Sequence, residues 1–258
     1  MEEEDIERYL YYPDRLPPGM PPPRWAPGAE EVWMEADDGV AVHGLWWGRP
    51  EGRPAVLFLH GNAQEVYSWS PVREDLEALD CGMLLIDYHG YGKSGGTPHE
   101  AGLYADGRAA LEWLSERGIG PPETVLFGKS LGGAVACEIA GGGPFKGLVL
   151  ESTFTSLASV ARRLLPVAPG YTLAPGAYDS LSRLPGITCP VLVIHGTEDA
   201  LIPFEEGVAL FKAANEPKEF MEVEGAGHND VSMVAGRNYG ALIRHWLDGT
   251  EPPAPGGS

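Results

Sequence analysis

A serine between two glycines is the first residue pattern in this chain that could do chemistry. Residues 128–132 are Gly-Lys-Ser-Leu-Gly, after an apolar β-rich run at 124–127 and before a stretch of small residues at 133–140. A G-x-S-x-G pattern between a strand and a helix is typical of a sharp turn that holds the serine hydroxyl out at the top of a sheet. Larger side chains at the two outer positions would clash in so tight a turn. The sequence therefore predicts that Ser130 is a nucleophile.

A serine nucleophile needs a base, and His195, His228 and His245 follow it along the chain. His228 lies in the segment Gly-Ala-Gly-His-Asn-Asp at 225–230, directly after the last predicted strand. The small residues before it would let this loop fold over the serine. His195 ends a predicted strand and His245 lies in a predicted helix, where we expect packing roles. We therefore predict that His228 is the base.

The base in turn needs a carboxylate that orients its ring and stabilises the imidazolium. Asp199 lies in the loop that follows the penultimate predicted strand, and the order Ser, Asp, His is known for such triads. An aspartate in a loop is also commonly a solvated acid or a helix cap. Glu198, its neighbour, and Glu151, at the end of the preceding strand, remain alternatives. The prediction is Asp199.

The tetrahedral intermediate needs backbone N–H donors for its oxyanion. One donor is predicted to be Leu131, which follows the nucleophile at the start of a helix. The other is predicted to be Asn62, in the segment His-Gly-Asn-Ala at 60–63 that follows an apolar strand. We expect His60 to organise this loop and not to act as a base.

Aromatic residues follow this loop closely. Tyr67 and Trp69 are predicted to line the substrate pocket. Glu65 is a candidate for binding an amine, which a peptidase would require. Phosphate-binding loops are excluded, because residues 87 and 123, where the P-loop pattern needs its first glycine, are Asp and Glu.

The elements that must position these residues alternate between buried strands and helices. A hairpin around Asp-Asp-Gly at 37–39 begins the series. Apolar strands alternating with helices predict an α/β fold with a mostly parallel sheet of about eight strands, covered on both faces. All candidate residues then lie at the carboxyl ends of strands, where function collects in such sheets. The predicted strands are 32–36, 42–47, 55–59, 83–87, 124–127, 147–150, 191–194 and 219–224, and the predicted helices are 70–79, 101–117, 133–140, 204–214 and 238–247.

One domain accounts for most of the 258 residues. Residues 1–30 are predicted to be a Pro-rich extended lead-in, 31–248 the domain, and 249–258 a disordered tail. Within the domain, residues 154–190 are expected to form a short cap with one or two small helices. A short cap leaves an open cleft, which suits small or accessible acyl groups.

Composition excludes several classes of function. The 18 basic and 37 acidic residues give a net charge of −19, which repels nucleic acid and anionic membrane surfaces. The three cysteines have no metal-ligand spacing, so we expect buried thiols, no metal site and no cofactor. The acidic start has no apolar signal region and no run is long enough to span a bilayer, so the expected location is the cytoplasm. The sequence leaves the oligomeric state open.

Together these residues resemble the α/β-hydrolase superfamily, in particular its small serine hydrolases with a minimal cap. The resemblance extends from about residue 31 to 247 and implies an α/β-hydrolase fold, a Ser130–Asp199–His228 triad and an oxyanion hole from Asn62 and Leu131. Many relatives have arginine at the position of His89, and the membrane anchor of some relatives is absent from this sequence. The motifs that carry the resemblance are those at 60–63, 87–94, 128–133, 151–156 and 227–229 and the loop of Asp199.

The leading functional hypothesis is a serine hydrolase that cleaves a small-molecule carboxylic ester through an acyl-enzyme. A thioesterase or a small serine peptidase or amidase is an alternative with the same machinery. From a different class, the chain could be a non-catalytic binding or scaffold protein on a hydrolase fold. A dehalogenase or epoxide hydrolase would need aspartate in place of Ser130.

Overall fold

The computed structural model describes residues 10–164 and 176–249, and these form a central sheet covered by helices on both faces. The strands are β1 Tyr12–Pro13, β2 Glu30–Glu35, β3 Ala41–Trp47, β4 Ala55–Leu59, β5 Ala63–Gln64, β6 Gly82–Ile86, β7 Thr124–Lys129, β8 Gly147–Glu151, β9 Val191–Gly196 and β10 Lys218–Val223. Eight of them form the sheet, in the order β10-β9-β8-β7-β4-β6-β3-β2, while β1 and β5 form a separate pair. Within the sheet, β3 is antiparallel to both of its neighbours, β2 and β6, and all other neighbouring strands are parallel. The predicted mostly parallel sheet is confirmed.

The central strands are apolar throughout because both of their faces are buried. Every residue of β4, β6, β7 and β8 is buried. Side chains alternate between the faces, so Leu126 belongs to one hydrophobic core while its neighbours Val125 and Phe127 belong to the other. These two cores hold the strand ends, and therefore the loops that follow them, in fixed positions.

The helices cover both sides of this sheet. They are α1 Val66–Trp69, α2 Val72–Asp75, α3 Glu100–Glu116, α4 Leu131–Ala140, α5 Leu157–Leu164, α6 Ser180–Arg183, α7 Phe204–Ala213, α8 Val231–Ala235 and α9 Tyr239–Asp248, with short 3-10 turns at Glu77–Leu79, Pro121–Glu123, Leu184–Gly186 and Gly236–Asn238. Within the described ranges, no helix is both long and apolar enough to cross a bilayer.

The single helix predicted over 70–79 is wrong. Over these residues the structure has α2 and the 3-10 turn Glu77–Leu79. Pro71 directly precedes α2, and proline is tolerated at the start of a helix. The division lies at Leu76, whose φ of −101° and ψ of 9° are not helical.

The Pro-rich lead-in packs against the body of the domain. Its strand β1 pairs in parallel with β5, immediately after the predicted oxyanion loop. The Tyr11 hydroxyl lies 2.6 Å from the Tyr178 hydroxyl, and Trp25 Nε1 donates to the carbonyl of Tyr67 at 3.1 Å. Residues 10–16, which we call the N-terminal strap, therefore contact the loops that carry the candidate site.

Parts of the predicted cap and tail fall outside the described residues. Helix α5 begins where a small cap helix is expected, and α6 lies in the later part of the cap. Residues 165–175 of the cap and 250–258 of the tail are outside the described ranges. The cysteines Cys81, Cys137 and Cys189 are buried free thiols, and burial raises the pKa of Cys137 to about 12.

His89 lies between two carboxylates. Its Nδ1 is 2.6 Å from Asp106 Oδ1 and its Nε2 is 3.0 Å from Asp38 Oδ2. Burial lowers the pKa of His89, but the hydrogen bonds and charges of Asp106 and Asp38 outweigh it, so the pKa is raised overall. The two carboxylates therefore favour the protonated form of the His89 ring.

Candidate active site

Ser130 lies at the sharp turn between β7 and α4, in a strained backbone conformation. Its φ is 52° and its ψ −118°, outside the regions that L-residues normally occupy. A Cβ on Gly128 would lie 2.4 Å from the carbonyl oxygen of Gly132, and a Cβ on Gly132 would lie 2.0 Å from that of Leu59. Both glycines are therefore required for the strand and helix to approach closely enough to hold this turn.

Ser130, His228 and Asp199 form one chain of hydrogen bonds. His228 Nε2 is 3.1 Å from Ser130 Oγ, and His228 Nδ1 is 2.8 Å from Asp199 Oδ2. Because a carboxylate only accepts, Nδ1 carries the proton and Nε2 is left to accept from the serine hydroxyl. The loops after β7, β9 and β10 thus bring together three residues that are far apart in sequence.

Asp199 is held by its own loop. Its Oδ1 accepts from the backbone N–H of Leu201 at 2.9 Å and of Ile202 at 2.8 Å, while Oδ2 faces His228. Burial raises the pKa of Asp199, but the hydrogen bond and charge of His228 outweigh it, so the pKa is lowered overall. The neighbouring Glu198 is exposed.

The other candidate bases and acids have different partners. His195 is buried and its Nε2 donates to the carbonyl of Ile202 at 3.0 Å; burial lowers its pKa and favours the neutral ring. Glu151 accepts hydrogen bonds from Lys129 and Tyr239. Neither residue takes the place of His228 or Asp199 in the hydrogen-bond chain to the serine.

Both predicted oxyanion residues line the same cleft as Ser130. Leu131 is the first residue of α4, where helical N–H groups have no partner within the helix. The side chain of Asn62 fixes its loop, because its Oδ1 accepts from the Tyr91 hydroxyl at 2.8 Å and its Nδ2 donates to the carbonyl of Leu10 at 2.5 Å. The N-terminal strap is therefore tied directly to residue 62.

His60 is buried and bonded within its own loop. Its Nδ1 donates to the carbonyl of Gly61 at 2.7 Å, and burial lowers its pKa. Its ring lies 4.4 Å from that of Tyr88 and 6.0 Å from that of Trp69, centroid to centroid. A neutral, enclosed ring of this kind supports the turn that leads to Asn62.

The cleft above Ser130 is open and has a volume of about 760 Å³. Trp69 lines it, but Tyr67 is not among the lining residues in the described part of the chain, so the prediction for Tyr67 is wrong. Tyr67 is buried and its hydroxyl donates to the carbonyl of Met20 at 2.9 Å. Successive side chains of a helix point about 100° apart, so two residues of the four-residue α1 need not share a face.

Glu65 is not free to bind a substrate amine. It caps α1, accepting from the backbone N–H of Tyr67 at 2.6 Å and from the N–H and hydroxyl of Ser68 at 3.2 and 2.6 Å. A caged carboxylate of this kind stabilises the helix N-terminus. The sequence shows the carboxylate of Glu65, but not that the N–H groups of the helix it caps already occupy its oxygens.

The structure also adds residues that sequence reasoning missed. Lys129 and Tyr239 line the cleft beside Ser130, as do Leu10 and Tyr12 of the strap. Glu151, which the sequence offered only as an alternative acid, lines the cleft next to them. The position of Lys129 inside the G-x-S-x-G pattern could have indicated it. No sequence signal indicates the strap, because its contacts depend on a pairing across the fold. Among residues 10–164 and 176–249, no cluster of three or more His, Cys, Asp or Glu side chains is arranged to hold a metal ion.

Comparisons with known proteins agree with this architecture. The profile of the alpha/beta hydrolase fold family matches residues 54–174. The uncharacterized protein Rv2307c of Mycobacterium tuberculosis is 40% identical over 227 residues, covering 87% of this chain and 81% of that protein. Human alpha/beta hydrolase domain-containing protein 17B is 38% identical over 188 residues, covering 71% of this chain and 63% of its own length. Among solved structures, the Pyrococcus furiosus esterase Pf2001 superposes with a TM-score of 0.76 at 21% identity, covering 93% of this chain and 99% of that one.

Proposed function

Because this chain belongs to the α/β-hydrolase superfamily, we propose that it is a serine hydrolase that cleaves carboxylic esters. The observation that carries the proposal is the hydrogen-bond chain from Ser130 through His228 to Asp199. Each of the three lies on a loop at the carboxyl end of a strand, and the serine opens onto the cleft. This is the arrangement that activates a serine hydroxyl.

In the acylation step, His228 Nε2 takes the proton of Ser130 Oγ as that oxygen attacks the ester carbonyl carbon. Asp199 stabilises the imidazolium, and the N–H groups of Asn62 and Leu131 donate to the oxyanion. The intermediate collapses by breaking the bond to the alcohol oxygen, which leaves with the proton from His228. The product is an ester between the acyl group and Ser130.

In the deacylation step, water attacks this acyl-enzyme and gives a proton to His228. The bond between the acyl carbon and Ser130 Oγ breaks, and the serine takes the proton back. The carboxylic acid leaves and the starting state is restored. His228 passes the serine proton to the leaving alcohol and a proton from water back to the serine, so the enzyme neither gains nor loses a proton over the cycle.

The open cleft supports small or accessible acyl groups as substrates. Its wall is formed by the strap, the loop of Asn62 and α1 on one side and by the start of α5 on another. Thioesters would react by the same steps. A peptidase that anchors a free amine finds no partner in Glu65, whose oxygens are already bonded. A scaffold protein would have no need for the intact serine–histidine–aspartate chain.

Hydrolysis of p-nitrophenyl esters from acetate to palmitate tests the proposal. Wild type is expected to hydrolyse the shorter esters, and Ser130→Ala to lose at least about a thousandfold in kcat. The matched control is Ser115→Ala, which changes an exposed serine near the end of α3 and should keep wild-type activity. Equal rates for wild type and Ser130→Ala would contradict the proposal.

A further inference from the structure

A buried ion pair stands beside the nucleophile and has no part in the steps above. Lys129 precedes Ser130 at the end of β7, and it is paired with Glu151 in the parallel β7–β8 ladder. The Lys129 ammonium lies 2.5 Å from Glu151 Oε1, and the Tyr239 hydroxyl donates to Glu151 Oε2. All three side chains line the cleft. The pair is therefore both enclosed and open to a ligand on one side.

Such a pair is costly to keep. The side chains of Lys129 and Glu151 are only 10% and 3% exposed, so both charges have lost most of their hydration. Apolar residues of similar volume often stabilise a fold as well as a buried ion pair does. Lys129 and Glu151 are the last residues of β7 and β8, so no further strand pairing depends on their side chains. Binding of a ligand would explain why two charged residues occupy these positions.

The ammonium has donors without a partner among the described residues, while each oxygen of the Glu151 carboxylate already accepts one hydrogen bond. An ammonium carries three N–H donors. Across the described residues, Glu151 is the only hydrogen-bond partner of the Lys129 ammonium, which lies 6.0 Å from the centroid of the Trp69 ring. Glu151 uses one oxygen for Lys129 and the other for Tyr239. Burial and the charge of Glu151 raise the pKa of Tyr239, which keeps its hydroxyl a donor.

The charges around the cleft indicate what the spare donors bind. Apart from His228, the charged lining residues in the described part of the chain are Lys129, Glu151 and Asp75, one cation and two carboxylates. A substrate carboxylate would be repelled by both acids and by a chain of net charge −19. A substrate amine would be repelled by Lys129, and each Glu151 oxygen already accepts one hydrogen bond. An uncharged oxygen meets neither of these obstacles.

We propose that Lys129 is a specificity-determining residue that binds an uncharged oxygen, a hydroxyl or a second carbonyl, on the ester substrate. Lys129 and Ser130 line the same cleft, so one small substrate can place its ester carbonyl at the serine and this oxygen at the ammonium. Glu151 and Tyr239 are positioning residues that hold the ammonium toward the cleft. The inference rests on the proposed ester hydrolysis and names its substrate class: small esters with an oxygen substituent close to the scissile bond.

The test compares esters that differ by that substituent. We would measure kcat/KM by titration of the released acid for ethyl butanoate, ethyl 3-hydroxybutanoate, 2,3-dihydroxypropyl butanoate and monoethyl butanedioate. Wild type is expected to prefer at least one hydroxylated ester over ethyl butanoate by about tenfold or more, the range of a hydrogen bond to a charged group. Monoethyl butanedioate, which carries a carboxylate, is expected to be slower than ethyl butanoate.

Variants assign the preference to the ammonium. Lys129→Met is expected to bring the ratio of hydroxylated to plain ester close to one, whereas Lys129→Arg keeps part of it. Because Lys129→Met leaves Glu151 buried without its cation, the double variant Lys129→Gln with Glu151→Gln repeats the test with no buried charge. Lys146→Met, which removes a lysine that does not line the cleft, is the matched control and keeps the full ratio.

The outcomes separate this inference from the proposed function. The inference alone is overturned if wild type shows Ser130-dependent hydrolysis but a ratio of hydroxylated to plain ester near one. It is also overturned if neither Lys129→Met nor the double variant changes that ratio. Faster hydrolysis of monoethyl butanedioate than of ethyl butanoate also overturns it, because the site would then bind an anion. Absence of any Ser130-dependent hydrolysis overturns the proposed function, and the inference with it.

Discussion

Replacing Asp199 with asparagine is a sharp test of how the histidine is oriented. The amide keeps an oxygen where Oδ1 accepts from the N–H groups of Leu201 and Ile202, at 2.9 and 2.8 Å, so the loop remains in place. At the other position, an NH₂ group replaces the oxygen that lies 2.8 Å from His228 Nδ1. Two donors then face each other unless the ring changes its tautomer.

The tautomer change removes the base. With Nδ1 accepting from the amide, the ring proton moves to Nε2, which lies 3.1 Å from Ser130 Oγ and can no longer take the serine proton. The same exchange in another serine hydrolase lowers kcat about ten-thousandfold. We expect a loss of this order, equivalent to about 5 kcal/mol in the activation free energy at 1.36 kcal/mol per tenfold.

The assay is kcat on a short p-nitrophenyl ester, together with thermal unfolding of both proteins. Asp199→Asn should unfold close to wild type, because the loop hydrogen bonds remain. The control is Glu198→Gln, which makes the same carboxylate-to-amide change at the exposed neighbouring residue and should leave kcat unchanged. A loss of less than about tenfold in Asp199→Asn would refute the assignment, since the ring would then be oriented by some other group.

Three further changes test the turn, the oxyanion loop and the buried histidine. Gly132→Ala should lower the unfolding free energy by about 3 kcal/mol or more in chemical denaturation, because its Cβ would lie 2.0 Å from a backbone oxygen of β4. The control is Gly141→Ala, whose Cβ would lie 3.7 Å from the nearest atom. It should change the unfolding free energy by less than about 0.5 kcal/mol. Asn62→Ala keeps the backbone N–H but cuts both side-chain ties of the loop, so kcat should fall about 10- to 100-fold with a smaller change in KM. The pKa of His89 is raised in the folded protein, so its protonated form stabilises the fold fully below pH about 6.5, the ordinary pKa of histidine. This stabilisation is lost as the pH rises through the folded-state pKa of His89. Wild type should therefore lose unfolding free energy over this pH range, and His89→Asn should lack this loss.

Each of these has a contrary result. A fully stable Gly132→Ala would mean that the close approach of α4 to β4 relaxes at little cost. Unchanged kcat in Asn62→Ala would mean that the side chain does not fix the loop. A pH dependence of unfolding that is identical in wild type and His89→Asn would assign the slope to another group.

The sheet and the three central side chains were predictable because their signals are local. Uninterrupted apolar runs such as 55–59 and 124–127 indicate strands buried on both faces, and strands of that kind are parallel. Parallel strands share one carboxyl edge, so motifs that directly follow strands converge there. This is why Ser130, Asp199 and His228 could be proposed together from segments far apart in the chain.

The remaining features depend on tertiary contacts that no local pattern encodes. The helix predicted over 70–79 is divided at Leu76, which is fully buried and has non-helical dihedral angles. Tyr67 faces the lead-in because that segment returns to cover α1. The Lys129–Glu151 pair exists only because β7 and β8 are neighbours in one register. Each of these features depends on which distant segments contact each other in the fold, and a local sequence pattern does not show those contacts.

The most direct test of the central claim is labelling with a fluorophosphonate, followed by mass-spectrometric mapping of the adduct. Activated serine nucleophiles form a covalent bond with such probes, and unactivated serines do not. The account predicts one adduct, on Ser130, and strong slowing of labelling in His228→Ala. No labelling of wild type, or an adduct on a serine other than Ser130, would contradict it.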